Sequence, residues 1–318
     1  MKTLKQYFEE AKSEKWAVGH FNFSTADQLR AFVEAAAELK SPIMVGTSEG
    51  EADFIGREQA VALVKSYQQE GHAVFLNADH HKSWETAKAA VDAGYDTVLV
   101  DASKLSYEEN FALTKKVADY AHAANAELMV EGELGYLRGS SEVQEKVEIS
   151  PADYTKPEQA ADFVARTGVD RLAVVFGNIH GIVKEVVVTA PTPSGVGVPK
   201  PTLGVGSPTE ASVAETSGEE HLDIPTLQKI IAALPDMPLV LHGASGLPAD
   251  EIKAAIQSGI TNVHINTDLR VAYHDTLHAE LEKEPKETTP YKFLKPSFDA
   301  MKQMIKEKLE LFGSPSHL

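Results

Sequence analysis

Cysteine is absent from all 318 residues. That excludes disulfides, thiolate nucleophiles and cysteine-bound zinc, and it leaves His, Asp and Glu as the side chains able to hold a metal. Positive charge is also scarce: 30 Lys and Arg against 47 Asp and Glu give a net charge of −17. A surface so acidic repels nucleic acid and anionic lipid, and no basic stripe offsets it, so neither is expected as a partner. An anionic substrate would need a locally positive pocket made by a metal, a lysine or backbone amides. No apolar run approaches the roughly 18 residues of a membrane span. Residues 1–15 read as an amphipathic polar helix, without the basic start and apolar stretch of a secretory signal. The expectation is a soluble, cytoplasmic protein.

What is present is a repeating pattern. At 43% hydrophobic residues the chain can close one sizeable core, and a single domain over 1–318 is expected. Short apolar runs recur at 17–21, 42–46, 73–76, 97–100, 127–130, 171–176, 238–241 and 262–265. Most are continuously apolar, as in strands covered on both faces. Helical patterns lie between them at 26–39, 59–69, 83–93, 107–123, 158–166 and 248–258, and Ser83 reads as an N-cap. Eight strands alternating with helices predict an α/β fold of the (β/α)8 TIM-barrel type. A doubly wound sheet is the alternative, but no strand is followed by a GxGxxG turn. Residues 191–220, rich in Pro, Gly, Ser and Thr, read as a long excursion between the sixth and seventh strands, either functional or disordered. At 296–312, Phe298, Met301, Ile305 and Phe312 fall near helical spacing. This C-terminal helix is expected on the barrel exterior or on another subunit of a homo-oligomer, a dimer or tetramer.

In a barrel enzyme the active site is built at the C-terminal ends of the strands. Here those ends carry Asn22, Thr47-Ser48, Asp79-His80-His81, Asp101 and Ser103, Glu131 and Glu133, Asn178 and His180, His242, and Asn266-Thr267-Asp268. Three equivalent ends supply His80, His180 and His242, a set that leaves an open coordination position on a catalytic Zn²⁺. Asp79 beside such a site is a candidate proton donor or acceptor. His242-Gly243-Ala244-Ser245-Gly246 precedes a helix and offers backbone amides to an anion, with hydroxyls from Ser245 and Thr267. Lys184 is a candidate for the accompanying positive charge.

These residues together resemble the class II, metal-dependent fructose-bisphosphate aldolases and related ketose-bisphosphate enzymes. The resemblance runs through Ala17-Val18-Gly19-His20-Phe21-Asn22, Asp79-His80, Glu131-Gly132-Glu133-Leu134-Gly135, Gly177-Asn178-Ile179-His180-Gly181, His242-Gly243-Ala244-Ser245-Gly246 and Thr267-Asp268-Leu269-Arg270. It implies a TIM barrel, a Zn²⁺ cofactor, and cleavage of a phosphorylated ketose into dihydroxyacetone phosphate and an aldehyde, within carbohydrate metabolism. By position it implies that His80, His180 and His242 bind the metal, with Asp101 and Glu133 able to hold it in an alternative site. Asp79 matches the catalytic acid. Gly181, Gly243, Ser245, Asn266 and Thr267 match the phosphate cradle, with a monovalent cation nearby, and Asn22 and Ser48 fall near the substrate. Several positions depart from the family pattern. His81 replaces a glycine, His264 an asparagine and Asn266 an aspartate. Ser141 stands where a catalytic glutamate is expected, which Glu142 supplies after a shift of one residue. Fructose 1,6-bisphosphate is the default substrate; a tagatose or deoxy-ketogluconate phosphate, and a catalytically silent relative supporting a partner subunit, are the alternatives.

Overall fold

The structure is a computed structural model and describes residues 2–188, 216–218 and 221–318. The 191–220 excursion therefore lies outside the described residues, apart from one short strand. Among the described residues eleven strands are seen: β1 (Val18–Asn22), β2 (Ile43–Thr47), β3 (Val74–His81), β4 (Thr97–Val100), β5 (Met129–Leu134), β6 (Gly139–Ile149), β7 (Arg171–Val174), β8 (His180–Val188), β9 (Thr216–Gly218), β10 (Leu239–Leu241) and β11 (Ile260–Ile265). Eight of them close a barrel in the order β1-β11-β10-β7-β5-β4-β3-β2, and every neighbouring pair is parallel. With helices outside, this is a (β/α)8 barrel.

Strand alternation explains why the runs read as continuously apolar. Outward residues such as Phe21, Val45, Leu76, Val98, Val130 and Leu172 join the main core, into which Leu29 and Phe32 of the helix Ala26–Leu39 also pack. Inward residues near the strand starts, Val18, Met44, Phe75 and Met129, meet Leu4, Tyr7 and Phe8 of the helix Leu4–Glu14, which plugs the barrel floor. Thr3 caps that helix in a reciprocal capping box with Gln6. The C-terminal helix Lys295–Leu311 buries Met301, Ile305 and Leu309 and packs on the helix Ala26–Leu39. It thus lies on the barrel exterior.

The middle of the barrel is polar, where such barrels are usually filled by branched apolar residues. Arg171 is fully buried there. Its Nη1 donates to Asn262 Oδ1 at 2.8 Å, and its Nη2 donates to Thr97 Oγ1 at 2.8 Å and Asn77 Oδ1 at 3.0 Å. The same Nη2 lies 2.9 Å from Glu131 Oε2. Truncation would strand a buried carboxylate. Arg171→Met is expected to lower unfolding free energy by about 3–5 kcal/mol, measured by denaturant titration. Loss of less than about 1 kcal/mol would mean that Glu131 does not depend on the pair.

One expectation is corrected. The sixth barrel strand ends at Val174, and His180 opens β8. Asn178 makes the turn between them: its Oδ1 accepts the Phe176 N–H at 2.9 Å, and its Nδ2 donates to the carbonyls of Val174 and His242. Asn178 is thus tied up structurally. Residues 139–142 open β6, which runs parallel to β8, while β9 pairs antiparallel with β8. This side sheet flanks the barrel mouth. Among the described residues no helix is long and apolar enough to cross a membrane.

Candidate active site

The end of β3 sets the site's geometry. Side chains of consecutive strand residues point to opposite sides, yet both Asp79 and His80 reach the mouth. The β3–β4 register shifts between Ala78 and His81, and His80 adopts a left-handed φ of 50°. Such a conformation costs a non-glycine residue about 1–3 kcal/mol and is found preferentially at functional sites. The displaced His81 is fully buried instead.

Three imidazoles converge here. The His80 ring centroid lies 4.8 Å from that of His242 and 4.9 Å from that of His180, with 6.5 Å between the latter two. Carboxylates surround them. His80 Nδ1 is 3.2 Å from Asp101 Oδ2 and 3.5 Å from Glu133 Oε2. His242 Nε2 meets Glu131 Oε1 at 2.7 Å, so the Arg171–Glu131 pair orients this imidazole. Donor atoms of Asp79, His80 and His242 all lie within 4.8 Å of one another, as do those of His80, Asp101 and Glu133. His180 belongs to neither donor group, although its ring lies beside that of His80.

The charges fit a cation. Burial, and then Asp101, push the Glu133 carboxyl up to about 8. Burial works against a charged His80, but Asp79, the bond to Asp101 and Glu133 outweigh it and push the imidazole up to about 10. Burial and the neighbouring His80 and His242 push His180 down to about 3. Glu133 Oε2 and Asp79 Oδ1 are buried without a hydrogen-bond partner, a costly state for carboxylate oxygens. A divalent cation among these oxygens and imidazoles would satisfy both.

Asp79 is held by Asn22, whose Nδ2 donates to its Oδ2 at 2.9 Å and to Glu51 Oε2 at 2.9 Å. His264 Nδ1 approaches Asp79 Oδ1 at 3.5 Å, and its ring stacks on His20 at 3.7 Å. Burial alone would raise the Asp79 carboxyl, but His80, His264 and His20 hold it well below the usual carboxylate range.

Next to the imidazoles lies a glycine-lined corner. Gly243 has φ 68°, and a Cβ there would fall 1.9 Å from the Ile179 carbonyl oxygen. A Cβ on Gly181 would fall 2.3 Å from the carbonyl oxygens of Ser140 and Glu142. Both positions require glycine for conformation and for space. Ser245 Oγ accepts the backbone N–H groups of Asn266 and Asp268, each at 3.3 Å, and Thr267 begins the helix Thr267–Lys283. A helix N-terminus with hydroxyls and glycine amides suits a phosphate. Asn266 Oδ1 is buried there without a partner.

The main cavity holds about 480 Å³ and joins this corner to the opposite side of the mouth. Asp79, His80, His180, Asp101, Glu133, Ser48 and Asn266 line it, while Asn22, His242, Gly181, Gly243, Ser245 and Thr267 line its inner recess. Ser48 also caps the helix Glu49–Ile55. Two candidates are not brought in. At the register shift between Gly139 and Val143 of β6, Ser140 and Ser141 line the cavity, and Glu142 is exposed on a neighbouring groove with Val271 and His274. Lys184 is exposed on β8 and pairs with Glu145 at 2.7 Å. The cations that do line the cavity are Lys82, Lys104 and Arg270. Arg270 donates to the Ser141 carbonyl at 2.5 Å. In the sequence Arg270 is visible only as part of the Thr267–Arg270 motif, and the lysines carry no motif signal.

The fold and site define a (β/α)8-barrel enzyme with a candidate metal centre beside an anion corner. The family model for class II fructose-bisphosphate aldolase matches residues 2–191 and 211–317. The chain is 33% identical over 316 residues to a fructose-bisphosphate aldolase of Geobacillus stearothermophilus, covering 98% of this chain and 96% of the relative. It is 31% identical to a 6-phospho-5-dehydro-2-deoxy-D-gluconate aldolase of Bacillus licheniformis, covering 98% and 94%. The crystal structure of the YdjI aldolase from Escherichia coli K12 superposes with a TM-score of 0.75 at 28% identity, covering 99% of both chains. The chain belongs to the class II fructose-bisphosphate aldolase family, and it is a lyase.

Proposed function

We propose that this protein is a zinc-dependent aldolase that cleaves a ketose phosphate, by default fructose 1,6-bisphosphate, into dihydroxyacetone phosphate and an aldehyde. The observation that carries the reading is the meeting of His80, His180, His242 and Asp79 beside the Gly181–Gly243–Ser245 corner. His80, His180 and His242 would hold the cation, with Asp101 and Glu133 as further oxygen donors. When bound, it supplies a Lewis acid for the substrate ketone and for the negative charge that develops on its oxygen. The corner binds the phosphate of the dihydroxyacetone phosphate half, with Asn266 and Thr267 closing it. Asp79 takes the proton from the C4 hydroxyl as the C3–C4 bond breaks, and returns it in the condensation direction. Its place in the recess beside His80 and His242 suits it to that transfer. Asn22 and Ser48 line the space for the sugar. The protein would act as a cytoplasmic homo-oligomer.

A different ketose phosphate is the second reading, and two side chains favour it. His264 puts a ring against Asp79 and His242, with 4.0 Å between the His242 and His264 centroids. Asn266 leaves the phosphate corner without the negative charge that would call for a monovalent cation. Fructose 1,6-bisphosphate is then expected to be a poorer substrate than for typical relatives, with little dependence on potassium or sodium. A panel of ketose mono- and bisphosphates, assayed by kcat/KM on the native protein and on His264→Asn/Asn266→Asp, tests this. If the native protein already prefers fructose 1,6-bisphosphate and the double variant is no better, the default substrate stands.

A further inference from the structure

The Asn22 amide is shared between two acids. Its Nδ2 donates to Asp79 Oδ2 and to Glu51 Oε2, each at 2.9 Å. Three neighbouring strands of the ring supply the frame. Asn22 ends β1, Asp79 lies near the end of β3, and Glu51 sits in the helix Glu49–Ile55 that follows β2 between them. Gly46 of β2 keeps the gap open, since a Cβ there would strike the His20 ring and fall 3.5 Å from the Asp79 Cβ. Glu51 lines the main cavity beside Asp79 and Ser48.

Glu51 also closes the cap of its own helix. Its Oε2 accepts the Ser48 N–H at 2.8 Å, and Ser48 Oγ accepts the Glu51 N–H at 3.4 Å. Capping accounts for those bonds and not for the one to Asn22. Glu109 completes the same motif in the helix Tyr107–Ala124, and among the described residues its carboxylate bonds Ser106 alone. Nor does capping call for burial. Glu109 is exposed, whereas burial pushes the Glu51 carboxyl up against the bonds from Asn22 and Ser48, and Asp79 pushes it further. A second acid beside Asp79 is a costly placement unless Asn22 requires it.

The amide explains the requirement. An asparagine can present either its oxygen or its nitrogen to a neighbour, and the two ends are alike in shape. With both acids in place, Nδ2 satisfies both. A half-turn would set Oδ1 against two acceptor oxygens at once. Without Glu51, one of the two restraints on the amide is gone.

We propose that Glu51 is a positioning residue: it holds the Asn22 amide with its N–H groups toward Asp79, and so fixes the carboxylate that exchanges a proton with the aldehyde half. This rests on the aldolase reading and extends it by one residue. Glu51 acts through Asn22 and touches neither the metal nor the substrate.

The test uses zinc-loaded full-length protein: native, Glu51→Ala, Glu51→Gln, Asn22→Ala and Asn22→Ala/Glu51→Ala. Cleavage is measured as kcat and KM on the best substrate of the ketose phosphate panel. Exchange of the C3 proton of dihydroxyacetone phosphate with solvent, which does not involve Asp79, is followed in parallel by NMR. Glu51→Ala should lower kcat roughly 10-fold, as for one hydrogen bond lost from a charged group, with KM little changed and exchange near the native rate. Glu51→Gln keeps an acceptor oxygen for both Asn22 and Ser48 and should restore most of the loss. Glu51→Asp suits a helix N-terminus but is one methylene shorter; it should be slow as well, and it serves if the alanine variant does not fold. In the Asn22→Ala background Glu51→Ala should cost nothing further, because the residue through which it acts is gone. An additional loss there overturns the proposal, as would direct contact of Glu51 with substrate or a general loosening of the helix. Equal losses of cleavage and exchange overturn it too, as does a Glu51→Gln variant as slow as Glu51→Ala, or a native rate in Glu51→Ala. Absence of exchange in the native protein overturns the aldolase reading, and the proposal with it.

Discussion

Alanine at His80, His180 or His242 is expected to strip the bound cation and with it all measurable aldol cleavage. The native protein should carry about one Zn²⁺ per chain at a site with three histidine ligands and an open position. Each substitution removes one imidazole from a centre whose remaining neighbours are carboxylates and histidines already packed within a few ångströms. The effect should be graded by what orients each ligand. His242 is fixed through Glu131, which is itself anchored by Arg171. Glu131→Gln should therefore weaken metal affinity by roughly 10- to 100-fold without removing a direct ligand. Elemental analysis after dialysis, with isothermal titration of Zn²⁺ into chelator-treated protein, measures both. Full stoichiometry in all three alanine variants would place the metal elsewhere.

Replacing Asp79 by alanine separates the two halves of the reaction. Cleavage should fall by on the order of 100-fold or more, the usual worth of a positioned acid–base group, while Zn²⁺ content stays near that of the native protein. Proton exchange at C3 of dihydroxyacetone phosphate should persist, because Asp79 is assigned to the oxygen of the aldehyde half and not to C3. Asn22 and His264 hold the carboxylate from two sides, so the effect of Asn22→Ala should be in the same direction and smaller. Loss of metal together with activity in Asp79→Ala would make the residue an orienting partner of the ligands instead.

Much of the barrel is legible because its strands are covered on both faces and keep apolar residues on both. The apolar runs at 42–46 and 97–100 coincide almost fully with β2 and β4. The residues that line the candidate site are legible as a cluster for a related reason: polar groups placed at the ends of apolar strands have few structural uses. The side sheet is not legible. Residues 139–149 are mostly exposed and carry few apolar residues, so they resemble a loop, and Ser141 and Glu142 fall where the pairing with β8 shifts register. Arg171 reads in sequence as the edge of an apolar run, since the Glu131 that balances its charge lies far earlier in the chain, on the adjacent strand. That Lys82 and Lys104 line the same cavity follows only from strand order, which brings together residues that are remote in sequence.

The metal-centred mechanism is tested most directly by solvent exchange at C3 of dihydroxyacetone phosphate, followed by NMR on chelator-treated protein before and after addition of one equivalent of Zn²⁺. No exchange is predicted without the metal, exchange on its addition, and none in His80→Ala under either condition. Exchange that survives chelation, or that His80→Ala supports as well as the native protein does, would contradict the mechanism.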